Sequence, residues 1–175
     1  GMACEVDKDF ARLLLPAINS FRPASVFHEL LHIHRFLVEG VPTLVACEDY
    51  EPWTPEIDTS LVKHDNAFEH LLIVPDELRK FPERKEYWEA VIDKCCEEIA
   101  ENPLEVVGRR QLSLNCWIFI HHVLPDSPLI AKVQATLTAL GEMEHAECFL
   151  KELLPLLNNK EAAIKIWLTH QNIPL

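Results

Sequence analysis

The chain has 175 residues, 49% of them hydrophobic and 25% charged, with a formal net charge of −12. That apolar content is enough for a buried core and excludes a disordered chain, and the length suits a single domain. The acidity excludes a nucleic-acid backbone or an anionic membrane surface as partner, because no basic stretch offsets it.

In chain order, Cys4-Glu5-Val6-Asp7-Lys8-Asp9 is too acidic for a signal or transit peptide. Asp7 to Ser20 reads as a helix kinked by Pro16. Ser25 is the expected N-cap of a helix over Val26 to Glu39, with Gly40 as its stop. Pro42 to Glu48 reads as a short strand, and Asp49 to Pro55 as a proline-stiffened loop. Helical periodicity resumes from Ile57 to about Leu72, and Pro75 and Pro82 are expected to interrupt the chain beyond it. The second half is plainer. Helices are expected over Glu83–Glu101, Arg109–Val123, Asp126–Leu140 (stopped by Gly141), Glu142–Leu157 (frayed by Pro155) and Lys160–His170.

The expected fold is therefore mainly α, with little or no sheet. Residues 1–82 would form a metal-site half and 83–175 an antiparallel helical bundle. Trp53, Trp88, Trp117 and Trp167 are spread as packing anchors, and His121-His122 as a core or interface pair. Four glycines and no Gly-rich phosphate loop disfavour nucleotide binding. The longest uncharged runs, such as Gln111 to Pro125, are too short to span a bilayer. The six cysteines show no C-x-x-C spacing, and the adjacent Cys95 and Cys96 are expected to be inert. This points to a reduced, cytoplasmic protein.

The chemically specific feature is His28-Glu29-Leu30-Leu31-His32. Histidines four apart on a helix share one face and can take two corners of a zinc tetrahedron. Glu29, rotated by about 100° from its neighbours, is placed to reach a water polarised by the ion and to accept its proton. The bland alternative is a solvated stripe: His28, His32, Arg35 and Glu39 lie opposite Phe27, Leu30, Leu31, Leu37 and Val38, as on any surface helix.

With Asn66-Ala67-Phe68-Glu69-His70 downstream, the motif resembles the zincin metallopeptidases of the glutamate-ligand type, the gluzincins. The resemblance runs from about Phe27 to Val74. It implies that His28, His32 and Glu69 ligate Zn2+, that Glu29 is the general base, and that His70 or His64 steadies the oxyanion. Asp65, one turn before Glu69, is the substitute carboxylate. Zincins place a small sheet ahead of the motif helix, whereas the preceding residues here read as helix. The function implied is a zinc-dependent peptidase or amide hydrolase acting on a peptide or protein substrate. The competing expectations are a non-catalytic interaction module, whose second-half helices bind a partner protein, and a scaffold that keeps its metal without hydrolysis.

Overall fold

The computed structural model describes residues 3–7, 10–15, 21–45, 54–101 and 106–173. The chain divides into two compact units, Gly1–Pro82 and Glu83–Leu175. As expected, the fold is mainly α: the described residues hold seven α-helices and a two-stranded sheet. None of these helices is long and apolar enough to cross a membrane.

Unit 1 opens with the first departure from the sequence-based expectation. Instead of a helix from Asp7, strands β1 (Ala3–Asp7) and β2 (Phe10–Leu14) pair antiparallel, with Cys4 opposite Leu13 and Glu5 opposite Arg12. Cys4 and Leu13 are half-buried while Glu5, Arg12 and Leu14 are exposed, the period-two pattern of a ribbon with one wet face. Arg12 donates to Glu5 across the strands at 3.3 Å, a cross-strand ion pair. The predicted kink at Pro16 lies outside the described residues.

Helix α1 (Pro23–Leu37) packs against both β1 and α2 (Pro55–Lys80). It starts three residues before the predicted boundary because Pro23, not a serine cap, sets its first turn. Proline supplies the helical φ and gives up only an amide that would have been orphaned. Gly40 does end the helix. It adopts φ +67°, and the Val41 amide returns to the Arg35 carbonyl at 3.0 Å. Residues 42–45 form no strand, and the rest of that predicted strand, with most of the Asp49–Pro55 loop and Trp53, lies outside the described residues.

Helix α2 begins at Thr54, whose hydroxyl accepts from the Ile57 amide at 3.4 Å, followed by Pro55 in the first turn. It then passes through Pro75, where the sequence suggested a break. Proline costs the helix one amide donor. The burial of Phe68, Leu71, Ile73 and Val74 on this stretch outweighs that loss.

Unit 2 contains α3 (Arg84–Glu101), α4 (Val106–Val123), α5 (Ile130–Leu140), α6 (Met143–Leu153) and α7 (Lys160–His170), with a single 3-10 turn at Leu154–Leu156 around Pro155. Trp88, Ile92, Cys96 and Ile99 repeat at helical spacing along α3 and are all buried. Gly141 ends α5 at φ +74°, as the sequence predicts, and the Asn159 side chain caps α7 by accepting from Ala162. Asp126-Ser127-Pro128 forms a turn and not the first turn of α5: the Ser127 hydroxyl accepts from the Leu129 amide at 3.3 Å, and the helix starts at Ile130.

The core of this unit centres on Leu114, Ile118, Leu137, Phe149 and Trp167, each fully buried. Phe149 meets Trp167 edge-on, with centroids 5.5 Å apart. Trp167→Ala should therefore cost about 3–5 kcal/mol and lower the thermal midpoint by many degrees. An unchanged melting temperature would place Trp167 outside the core.

Trp88 and Trp117 are buried, as anticipated, and His121 lies against the Trp117 ring at 4.0 Å. Cys95 is not isolated. The buried Cys116 thiol hydrogen-bonds it, which lowers Cys95 and raises Cys116 from their ordinary values.

Candidate metal centre

The packing of α1 on α2 reverses the expectation for the polar stripe of α1. His28 is only 8% exposed and Arg35 is half-buried, whereas Leu30, Leu37 and Val38 of the apolar face are exposed. His28, His32 and Arg35 of the stripe thus turn toward α2, while Glu39 at its end is exposed and Phe27 and Leu31 of the opposite face are half-buried. Burying polar side chains is unfavourable unless each meets a partner, and here the partners are identifiable.

The two helices run antiparallel. At one end, Phe27 of α1 meets Phe81 just past α2, with centroids 5.7 Å apart, and the Lys80 ammonium sits 4.2 Å above the Phe27 ring. At the other end, Arg35 Nε donates to Glu69 Oε2 at 2.5 Å, while Arg35 Nη1 donates to Glu39 at 3.1 Å. Between these two clamps, three imidazoles converge. The rings of His28, His32 and His70 lie with centroids 5.0 Å (28–32), 5.0 Å (28–70) and 5.4 Å (32–70) apart. One ligand-type nitrogen from each falls within 4.8 Å of the other two.

Each placement follows from helix geometry. His28 and His32 are one turn apart on α1. His70 and Glu77 are seven apart on α2, two turns along the same face. Hence His28 meets both: its Nδ1 lies 3.0 Å from Oε2 of the fully buried Glu77. This contact orients the His28 ring between Glu77 and the imidazole cluster. A carboxylate behind a histidine is the usual outer support of a metal ligand, fixing tautomer and ring direction. Burial first, then the charges of His28 and His32, hold the His70 imidazole well below its ordinary value.

The donor set fits a borderline-soft dication. Three imidazole nitrogens backed by a carboxylate are a donor set of the kind found in open, three-ligand zinc sites.

The structure thus brings together His28, His32 and His70 from the residues singled out in the sequence, with Glu29 beside them on α1. Glu69, expected as the third ligand, is engaged by Arg35 instead. Glu69 is not part of the group of converging ligand atoms. His64 and Asp65 are buried on α2, but neither contributes to the group of three converging nitrogens. Two participants were not foreseen: Glu77, and Cys4 of β1. Burial first, then the charge and hydrogen bond of Glu29, raises the Cys4 thiol to about 11. That contact sets strand β1 beside the motif carboxylate, although no strand was expected ahead of the motif helix. The spacing of His70 to Glu77 was the one available sequence signal for the outer carboxylate.

No protein-family model matches the chain, and no significant similarity to a curated protein or to a solved structure was found.

Proposed function

We propose that unit 1 is a zinc-dependent hydrolase centre, in which His28, His32 and His70 hold the ion and Glu29 serves as general base toward an amide or peptide carbonyl. The observation that carries this reading is the convergence of three imidazoles between α1 and α2, with buried Glu77 held 3.0 Å from His28. Bound zinc would supply Lewis acidity, polarising the carbonyl and acidifying the attacking water.

The chain's own residues do the rest. Glu77, 3.0 Å from His28 Nδ1, holds the direction of the His28 ring. The Arg35–Glu69 pair ties α1 to α2 beside the imidazole cluster, and His70 serves in this reading as the third ligand. Glu29, next to His28 on the same helix, takes the proton of the attacking water. It then returns that proton to the amine as the carbon–nitrogen bond breaks. A peptide substrate is favoured over other carbonyl compounds because β1, whose Cys4 touches Glu29, is a strand paired only with β2 among the described residues. Extended peptides add to such edges through their main-chain hydrogen bonds.

The first test is metal content. Protein purified without added zinc is expected to carry close to one zinc per chain in unit 1, and His28→Ala or His32→Ala should each remove it and lower thermal stability by linkage. Zinc content unchanged in both variants would remove the centre from α1. Zinc retained without any peptide or amide turnover would leave a metal-bearing scaffold that does not hydrolyse.

A further inference from the structure

Unit 2 holds a second group of ligand-type side chains that this centre does not use. Cys148 and Glu152 stand one turn apart on the exposed face of α6, and His170 closes α7. Their ligand atoms all fall within 4.8 Å of one another. The Cys148 thiol donates to Glu152 Oε1 at 3.2 Å, and Glu152 Oε2 lies 3.0 Å from His170 Nε2. The His170 ring is buried and stacked on Phe149, with centroids 4.6 Å apart and planes 12° from parallel. Its orientation is therefore set by the core.

Behind the ring, His170 Nδ1 lies 3.2 Å from His145 Nε2, and Arg110 reaches that nitrogen through Nη2 at 2.9 Å and the His170 carbonyl through Nη1 at 3.0 Å. The other ring nitrogen, Nε2, points toward the Glu152 carboxylate, 3.0 Å away.

We propose that Cys148, Glu152 and His170 form a second metal site, one that takes a zinc-class dication through mixed sulfur, oxygen and nitrogen donors. Thiolate and imidazole together select zinc and its neighbours over calcium or magnesium, which prefer oxygen alone. His145 and Arg110 stand behind His170 as Glu77 stands behind His28, holding the direction of the ring. On binding, the thiol proton now given to Glu152 leaves for solvent and the sulfur–metal bond forms. The site draws only on residues of unit 2 and is independent of the reading of unit 1.

Cobalt(II) is the probe that separates the two centres, because a cobalt–thiolate bond gives a near-ultraviolet charge-transfer band that an all-histidine site lacks. The full chain in reducing buffer, titrated with cobalt, should develop this band, and added zinc should abolish it. Cys148→Ser should remove the band, Glu152→Gln should weaken it, and the His28→Ala/His32→Ala double variant should retain it. Cys148 and Glu152 are exposed, so these two substitutions leave the core intact, which helical circular dichroism checks. Absence of the band in the parent chain, or its survival in Cys148→Ser, would overturn the proposal and leave an imidazolium–carboxylate ion pair at His170 and Glu152.

Discussion

His70→Ala is expected to abolish zinc binding in unit 1, while Glu69→Ala leaves it nearly intact. The two residues are adjacent on α2, yet the structure gives them different partners: His70 stands within the imidazole cluster, and Glu69 takes the Arg35 guanidinium at 2.5 Å. Removing one of three ligands takes away a direct bond to the ion. The loss should therefore exceed the roughly 10–100-fold penalty typical of deleting an outer-shell partner, which is the effect expected of Glu77→Ala. Glu69→Ala should instead destabilise the fold by about 1–3 kcal/mol, because it removes the closest ion-pair partner of half-buried Arg35 and leaves it Glu39 among the described residues. Zinc titration and thermal melts on the same three variants give the result. Zinc affinity lost in Glu69→Ala and kept in His70→Ala would reinstate the glutamate-ligand arrangement that the motif resemblance implies.

This contrast also marks how far the sequence could be read. Histidines four apart, with Gly40 as a stop, place two imidazoles on one face of α1 through local geometry alone. Which residue of α2 meets them depends on how α2 is rotated about its own axis, and a rotation of about 100° exchanges Glu69 for His70. No local pattern encodes that rotation; it is decided by the burial of Phe68, Leu71 and Val74 and by the clamps at either end. Elements with strong punctuation were legible for the same reason that α1 was. The Lys160–His170 helix follows an asparagine cap, and Gly141 adopts the left-handed conformation that ends its helix.

The β1–β2 ribbon is not legible in the sequence because five-residue strands leave too few positions for a period-two pattern to stand out from helical spacing. The inward-facing stripe of α1 is ambiguous on composition, since polar residues opposite apolar ones describe a surface helix as readily as a buried site. Only burial separates the two. The same limit applies to Cys148, Glu152 and His170, in which two members share a helix but the third arrives from another element.

Glu29→Gln is expected to keep zinc and to lower hydrolysis by about 10²–10⁴-fold, the range attributed to a positioned general base. Glutamine preserves the side chain's length and shape, and its amide oxygen can still accept from the Cys4 thiol, so the β1–α1 contact survives. What disappears is the negative charge that takes up the proton of the attacking water. The measurement is turnover of a mixed peptide library by zinc-loaded parent and variant, with zinc content determined on the same samples. Cys4→Ala supplies the control: it removes the thiol that occupies Glu29 and leaves the carboxylate untouched, so turnover should hold or rise. Equal turnover in Glu29→Gln and parent, with zinc bound in both, would sink the general-base role and assign Glu29 to anchoring β1. A fall in zinc content in Glu29→Gln would instead make Glu29 a ligand, and the number of open positions on the ion would have to be redrawn. Separate readings of metal and turnover are what distinguish these outcomes, because a base acts on the proton and a ligand acts on the ion.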